Sequence, residues 1–555
     1  MRIRYLVSAL LSLVSLLPCH AAGPSPENQV FQWSTAATND AWPDSSQSKG
    51  TLYLWVPESC RKVRGLLVLA TNVPEHRLVG DPVIRRACTE NDLALVWSVP
   101  TFWRFGKVAA EPGGEAMDVK KLPGSDAIQV AFFQRMLDGL AETSGYSEIA
   151  TAPWLPVGES GHLLMVCGMV NQKPERCIAA ICVKNPHSSM NKTVPMLWTL
   201  GTAQEWGQTA KDPRENWKPA TFNYQGWVND RMKADWPLSI VVEPGSGHFY
   251  CTDAMTEYFA RYIGAACRAR LSDDGGPALK PVSLDRGVLA NLPLPGHENS
   301  PVTPYAEAAP AARSRPWYFD EATASAAQGF ASTDWNAQTA MPSITAVSNC
   351  AVDPFSFNSV TTVSVSTDSE FIVKPFLLDK IPLAFLGAGT PLAMPSVQPM
   401  AEWICGPYAP LGNGRFRIVL DRTWKTGAAS YMAVRQDAAP GVRFGVQPVA
   451  VRLAENNEGA AQTIRFDPIP DVKAGTATLV LTAESDFGLP VNFFIVSGPA
   501  IVTGNRLELT GIPPRAKFPL ELTVAAWQWG RSTGPKVKAA PIVRQSFRIL
   551  APVSN

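Results

Sequence analysis

The stretch Trp154-Leu-Pro-Val-Gly-Glu-Ser-Gly-His162 leads from an apolar strand through Gly158-Glu159-Ser160-Gly161 directly into an apolar helix over Gly161–Val170. Strand, sharp turn and helix in that order hold a serine on a strained backbone with its hydroxyl exposed, so its neighbours must be small. The turn aims the hydroxyl at the helix N-terminus, where the Gly161 N–H is placed to stabilise an oxyanion. The same residues also suit an ordinary strand-to-helix turn whose serine caps the helix.

Such a serine needs a base, and histidines are few. Beyond the first 21 residues they are His76, His162, His187, His248 and His297. His248 follows the strand Leu238–Val242 through Glu243-Pro-Gly-Ser-Gly247 and precedes a helix over Asp253–Arg270, the place that the chain order serine, acid, histidine requires. His162 is too tightly tied to Ser160 by the backbone to act as its base, and reads as a packing or pocket-wall residue. His76 follows the strand Gly65–Ala70, where an oxyanion loop belongs, and is a candidate pocket residue. The second oxyanion donor is expected at the N–H of Asn72 or Val73. For the acid, Glu205 is the first carboxylate after the strand Pro195–Leu200, able to orient His248 through its Nδ1–H; Asp212, Glu215, Asp230 and Asp235 are alternatives in the same connection. That connection, Gly201–Pro237, also carries Trp206, Trp217, Tyr224, Trp227 and Trp236. They form either a cap with its own small core or a surface for stacking on substrate, with Trp206 a candidate pocket residue.

Around these residues, strands at Leu52–Val56, Gly65–Ala70, Ala94–Ser98, Trp154–Val157, Cys177–Val183, Pro195–Leu200 and Leu238–Val242 alternate with helices at Val79–Glu90, Asp126–Glu142, Gly161–Val170 and Asp253–Arg270. In Asp126–Glu142, Ile128, Phe132, Met136 and Leu140 recur every four residues, as one face of a helix does. Short apolar strands alternating with helices predict a mainly parallel sheet covered on both faces, an α/β architecture.

With the elbow, the late histidine and the strand order together, residues 51–271 resemble the secreted esterases of the α/β-hydrolase fold. The resemblance implies an eight-stranded, mostly parallel sheet flanked by helices, an acyl-enzyme mechanism and no cofactor, with Ser160 as nucleophile, His248 as base and Glu205 as acid. The sequence departs from that pattern twice. His162 replaces the last glycine of Gly-x-Ser-x-Gly, and Gln204 stands where the acid usually falls, three residues after Gly201. A serine peptidase of the same fold and a non-catalytic binding protein on a degenerate scaffold are the competing readings.

The 555 residues are 46% hydrophobic and 17% charged, with 49 basic against 48 acidic side chains. That balance tells against nucleic acid, which needs a basic footprint. The 48 prolines and 40 glycines are about 16% of the chain, above the ~12% of average usage, and point to turn-rich, extended parts. Arg2 and Arg4, the apolar run Tyr5–Leu17, and Pro18-Cys-His-Ala-Ala22 have the order of a secretory signal peptide (residues 1–21). The run is shorter than the ~20 residues that span a bilayer. The expected product is secreted (periplasmic, cell-surface or extracellular) with no spanning segment after signal removal. Its expected partner is an ester substrate, including carbohydrate-linked esters.

The domains expected after the signal are residues 22–271 (α/β-hydrolase), 272–342 (a Pro/Ala-rich linker), 343–455 (β-sandwich-like) and 456–555. The last resembles a bacterial immunoglobulin-like repeat, on Gln462-Thr-Ile-Arg-Phe466, Gly488-Leu-Pro-Val491, Ser497-Gly-Pro-Ala500, Gly504-Asn505, Leu509-Thr-Gly511 and Gln545-Ser-Phe547. That resemblance implies a C-terminal β-sandwich spacer without catalysis, in which Gly511–Pro519 is an insertion. Nine cysteines follow Cys19, an odd number. Cys350–Cys405 is the most plausible bridge and Cys60–Cys88 the second, while Cys251 and Cys267 flank a helix that separates them by ~24 Å. Without CxxC, HExxH or clustered His/Cys spacing, no metal site is expected.

Overall fold

The computed structural model describes residues 29–38, 49–99, 103, 107–109, 116–118, 124–184, 189–201, 224–293, 300–331, 345–347, 360–363, 365, 369–380, 389, 391, 396, 398–426, 428–439 and 444–552. The expected signal peptide lies outside them. The first unit is built on eight strands: β1 (Trp33–Thr38), β2 (Lys49–Trp55), β3 (Gly65–Leu69), β4 (Leu93–Ser98), β5 (Trp154–Glu159), β6 (Ala180–Val183), β7 (Met196–Gly201) and β8 (Leu238–Glu243). Their order in the sheet is β1-β2-β4-β3-β5-β6-β7-β8. Only β2 runs against the rest. Strands β3 to β8 are buried along their whole length. Helices cover both faces, which explains why these strands read as continuous apolar runs rather than alternating ones. This is the α/β-hydrolase fold.

Seven of the strands coincide, within a few residues, with runs read from the sequence; β1 does not. Two helices likewise match their expected spans: α3 (Ser125–Ser144) and α6 (Asp253–Arg270). The helix expected at Val79–Glu90 starts later, as α2 (Pro82–Glu90), and a separate short helix that was not expected, α1 (Val73–Leu78), precedes it. Asp81 divides them, its side chain accepting the Val83 and Ile84 N–H groups at 2.8 and 3.4 Å, and Pro82 begins a new helix where no N–H is needed. After Ser160 a single 3₁₀ turn, Ser160–His162, enters α4 (Leu163–Gln172), and α5 (Tyr224–Ala234) precedes β8.

The described residues between 272 and 331 pack against the first unit. A three-stranded sheet of Val288–Leu289, Thr303–Pro304 and Trp317–Tyr318 leads to a helix over Glu321–Ala331, which packs on β8 and α6. Beyond them lie two β units, each with a four-stranded and a three-stranded sheet, consistent with β-sandwich domains. The last unit is docked, its core continuous with that of the first. The Gly511–Pro519 insertion makes the contact: Arg515 bonds the Glu148 carboxylate at 2.8 Å and the Lys517 N–H bonds the Ser144 carbonyl at 3.0 Å.

The expected Cys60–Cys88 bridge is not formed. Cys88 faces α6, near Cys267, whereas Cys60 lies at a turn whose carbonyl takes the Tyr146 hydroxyl at 2.7 Å. Cys405 is also a free, buried thiol, and Cys350 lies outside the described residues. Burial pushes the Cys60 and Cys267 thiols up to about 12, so neither is a ready thiolate near neutral pH. Among the described residues no helix is long and apolar enough to cross a membrane.

Candidate functional site

The carboxyl ends of the parallel strands lie along one edge, where the register sets Glu159 beside Val183, Val183 beside Thr199, and Gly201 beside Glu243. Ser160 follows the central strand β5 on this edge. Its φ is +48°, a left-handed backbone that a non-glycine residue adopts at a cost of about 1–3 kcal/mol. Gly158 makes the tight passage possible. A Cβ there would stand 2.8 Å from both the His162 carbonyl oxygen and Val166 Cγ2, so the first glycine of the motif, not the last, allows α4 to pack on β5.

Residues 244–252 after β8 bring His248 to this turn. Its Nε2 lies 2.8 Å from Ser160 Oγ, although 88 residues separate them in sequence. The same nitrogen is 3.2 Å from Glu159 Oε1. Glu159 is wholly buried and held on two sides: its N–H donates to Glu75 Oε1 at 2.8 Å, and Asn72 Nδ2 donates to its Oε2 and, at 3.3 Å, to its carbonyl. Glu75 is also wholly buried, with His162 Nδ1 3.7 Å from its Oε1. Glu159 thus contacts His248 directly, whereas Glu75 contacts the Glu159 amide and His162.

The loop that carries His248 rests on an ion pair away from the serine. Lys184 Nζ lies 3.0 Å from Glu243 Oε2 and donates to Ser246 Oγ at 2.8 Å; both charged side chains are buried. Ser246 Oγ donates to the Tyr250 carbonyl at 2.7 Å, and Glu243 Oε1 accepts the Thr252 N–H at 2.9 Å and its hydroxyl at 2.5 Å. Both ends of the segment 246–252 are tied to one buried salt bridge.

Of the residues chosen from the sequence, Ser160, Gly161, His248 and Asn72 meet at this edge. Val73 begins α1 beside Asn72 and is buried against Phe249 and Tyr250. His162 sits in the 3₁₀ turn, mostly buried over Glu75. His76 is buried on α1 with its ring 5.3 Å from that of Trp97, and burial holds the imidazole below its ordinary range. Glu205 and Trp206 lie outside the described residues, as do Asp212, Glu215 and Trp217. Asp235 is exposed at the entry to β8, the opposite end of that strand from His248. Trp236 is core: it is fully buried, bonds the Val194 carbonyl at 3.1 Å and meets Trp198 edge-on at 5.2 Å. Glu75, Glu159, Lys184 and Glu243 join the site without a motif that singles them out in the sequence. The signal available was a carboxylate closing an otherwise apolar strand, as in Trp154–Glu159 and Leu238–Glu243. Among the described residues no group of three His, Cys, Asp or Glu side chains is placed to hold a metal ion.

No protein-family model and no curated protein matches the chain. Solved structures resemble part of it. A soluble variant of monoglyceride lipase from Saccharomyces cerevisiae is 10% identical, covers 44% of this chain and 98% of its own, and gives a TM-score of 0.29. Dienelactone hydrolase from Anabaena variabilis is 11% identical over 43% of this chain and 98% of its own, with a TM-score of 0.27. An S-formylglutathione hydrolase from Agrobacterium tumefaciens is 11% identical over 42% and 94%, with a TM-score of 0.28. These likenesses concern architecture; the fold assignment rests on the strand order and directions given above.

Proposed function

We propose that the chain is an exported serine hydrolase that cleaves carboxylic esters through an acyl-enzyme. The observation that carries this reading is the 2.8 Å approach of His248 Nε2 to a Ser160 held at φ +48° at the end of the central strand. In the proposed reaction, Nε2 takes the Ser160 proton as Oγ attacks the ester carbonyl carbon. The carbonyl π electrons move to oxygen, where the Gly161 N–H and one from Asn72 or Val73 hold the oxyanion. Collapse expels the alcohol, which receives the proton from His248. Water then attacks the acyl-serine with His248 again as base, releasing the acid and restoring Ser160. Glu205 remains the proposed partner of the far side of the imidazole. Export and the β units favour an ester on a polysaccharide or plant polymer.

Among the described residues, Glu159 is the carboxylate that reaches His248 Nε2, at 3.2 Å, and it enters this scheme beside the proton in flight. Glu159→Gln keeps the shape and removes the charge. A charge-assisted hydrogen bond contributes about 1.5–3 kcal/mol, so kcat is expected to fall roughly 10- to 150-fold with KM little changed. Steady-state kinetics on p-nitrophenyl acetate measures it; unchanged kcat would remove Glu159 from the scheme.

The reaction class is tested by comparing short-chain p-nitrophenyl esters with aminoacyl p-nitroanilides. Faster ester turnover is expected. Faster amide turnover would make the chain a peptidase, and no turnover of either by folded protein would reject the hydrolase reading.

A further inference from the structure

The first of the two β units does not hang clear of the site. Its strand Met400–Cys405, its strand Tyr431–Gln436 and Phe444 pack on the two segments that flank Ser160. Val73, Phe249 and Tyr250 share one apolar cluster with Ile404, Cys405 and Val446. The Phe249 ring stands 4.8 Å from His248 on one side and 4.9 Å from Tyr431 on the other. At Gly245, with φ +74°, an added Cβ would lie 2.5 Å from Phe444 Cδ1, so the β unit meets the histidine loop at its backbone.

One charged side chain spans this contact. Glu402 is only 9% exposed. Its carboxylate accepts the Tyr250 hydroxyl at 3.0 and 3.2 Å, and it lies 3.3 Å from Arg435 Nη1 and 3.8 Å from Arg77 Nη1. Arg77, on α1, donates in turn to the Cys251 carbonyl at 3.1 Å and to Asp253 Oδ1 at 2.6 Å. Tyr250 is two residues from the base, and α1 begins at Val73, directly after Asn72. A single buried carboxylate from another unit therefore touches both the base-bearing loop and the helix that starts at the expected oxyanion donors. Burial and that carboxylate push the Tyr250 phenol up, so it remains a donor throughout the working range.

We propose that Glu402 is a positioning residue, through which the β unit fixes His248 relative to Ser160 and makes itself part of the active site rather than a spacer. The proposal rests on the serine-hydrolase reading. Misplacement by ~1 Å of a catalytic group costs on the order of 10²-fold in rate, so releasing Tyr250 and Arg77 should act on kcat rather than on KM.

The test uses the full chain, with p-nitrophenyl acetate kinetics and fluorophosphonate labelling rates at a temperature where each variant is folded by circular dichroism. Glu402→Gln, nearly isosteric, is expected to lower both kcat and the labelling rate by about tenfold or more, with KM within about twofold. Tyr250→Phe, which deletes one hydroxyl, should reproduce part of the loss. The double variant should lose no more than Glu402→Gln alone, because the two residues act through one contact. Glu402→Asp, which keeps the charge, should recover part of the rate. Wild-type kcat in both folded single variants, or a change confined to KM or to melting temperature, would overturn the proposal while leaving the hydrolase reading intact. A wild-type chain that neither turns over nor labels would overturn both.

Discussion

Ser160→Ala is expected to lower kcat for p-nitrophenyl acetate by about 10⁴- to 10⁶-fold, the range in which a nucleophile acts as one unit with its base. The substitution removes only a hydroxyl. It leaves the oxyanion donors and the pocket in place, so KM for the residual reaction should change little. His248→Ala removes the group 2.8 Å from that hydroxyl and should cost a similar factor. The double variant should be hardly slower than either single one, since neither residue works without the other. Steady-state kinetics on the three proteins measures this. Additive losses would mean that the two residues do not act together, whatever their distance.

Lys184→Met is expected to destabilise the chain by about 3–5 kcal/mol, since it leaves the buried Glu243 carboxylate unpaired. Urea denaturation near pH 7 measures the loss. Its pH dependence follows from the carboxyl. Burial by itself pushes Glu243 up, but the Lys184 ammonium and the hydrogen bonds of Ser246 and Thr252 prevail and hold it below its ordinary 4.5. In the wild type this contribution is fully present above the ordinary carboxyl range and is lost as pH falls through the folded value. In Lys184→Met burial prevails, the folded value rises above the unfolded one, and protonation on acidification relieves the unpaired charge. The stability gap between the two proteins should therefore be widest near neutrality and narrow as pH falls through about 4.5. A gap that is constant with pH would mean that Glu243 is not the carboxylate that Lys184 neutralises. Because Ser246 and Thr252 are tied to this pair, the variant should also lose turnover wherever it is still folded.

The elbow was legible because it concentrates its meaning in a few adjacent residues: an apolar strand, Gly158, Ser160 and an apolar helix. The α6 helix was legible for a similar reason, as Thr252 caps it, its hydroxyl accepting the Met255 N–H at 3.2 Å, and the apolar residues beyond keep helical spacing. Strand β1 escaped notice because Trp-Ser-Thr-Ala-Ala-Thr has neither an apolar run nor a clean alternation; it is an edge strand paired only with β2. The buried charges escaped for a different reason. Read singly, Glu75, Glu159, Lys184 and Glu243 belong to solvent, as most charged residues do. Only the folded sheet brings Lys184 to Glu243 across 59 residues, and Glu75 to the Glu159 amide across 84. Glu402 lies farther still from its partner, 152 residues beyond Tyr250, in a unit whose sequence reads only as β-sandwich-like. Ile404, Tyr431 and Phe444 look the same in sequence whether they fill that unit's own core or cover the His248 loop of its neighbour.

The proposed function stands on Ser160 as an activated nucleophile, and intact-protein mass spectrometry after exposure of the full chain to a fluorophosphonate, followed by peptide mapping, tests it. One phosphonyl adduct per chain is expected, on the peptide containing Gly158-Glu159-Ser160-Gly161, and none in Ser160→Ala. Folded wild-type protein that gains no mass, or an adduct that persists in Ser160→Ala, would contradict it.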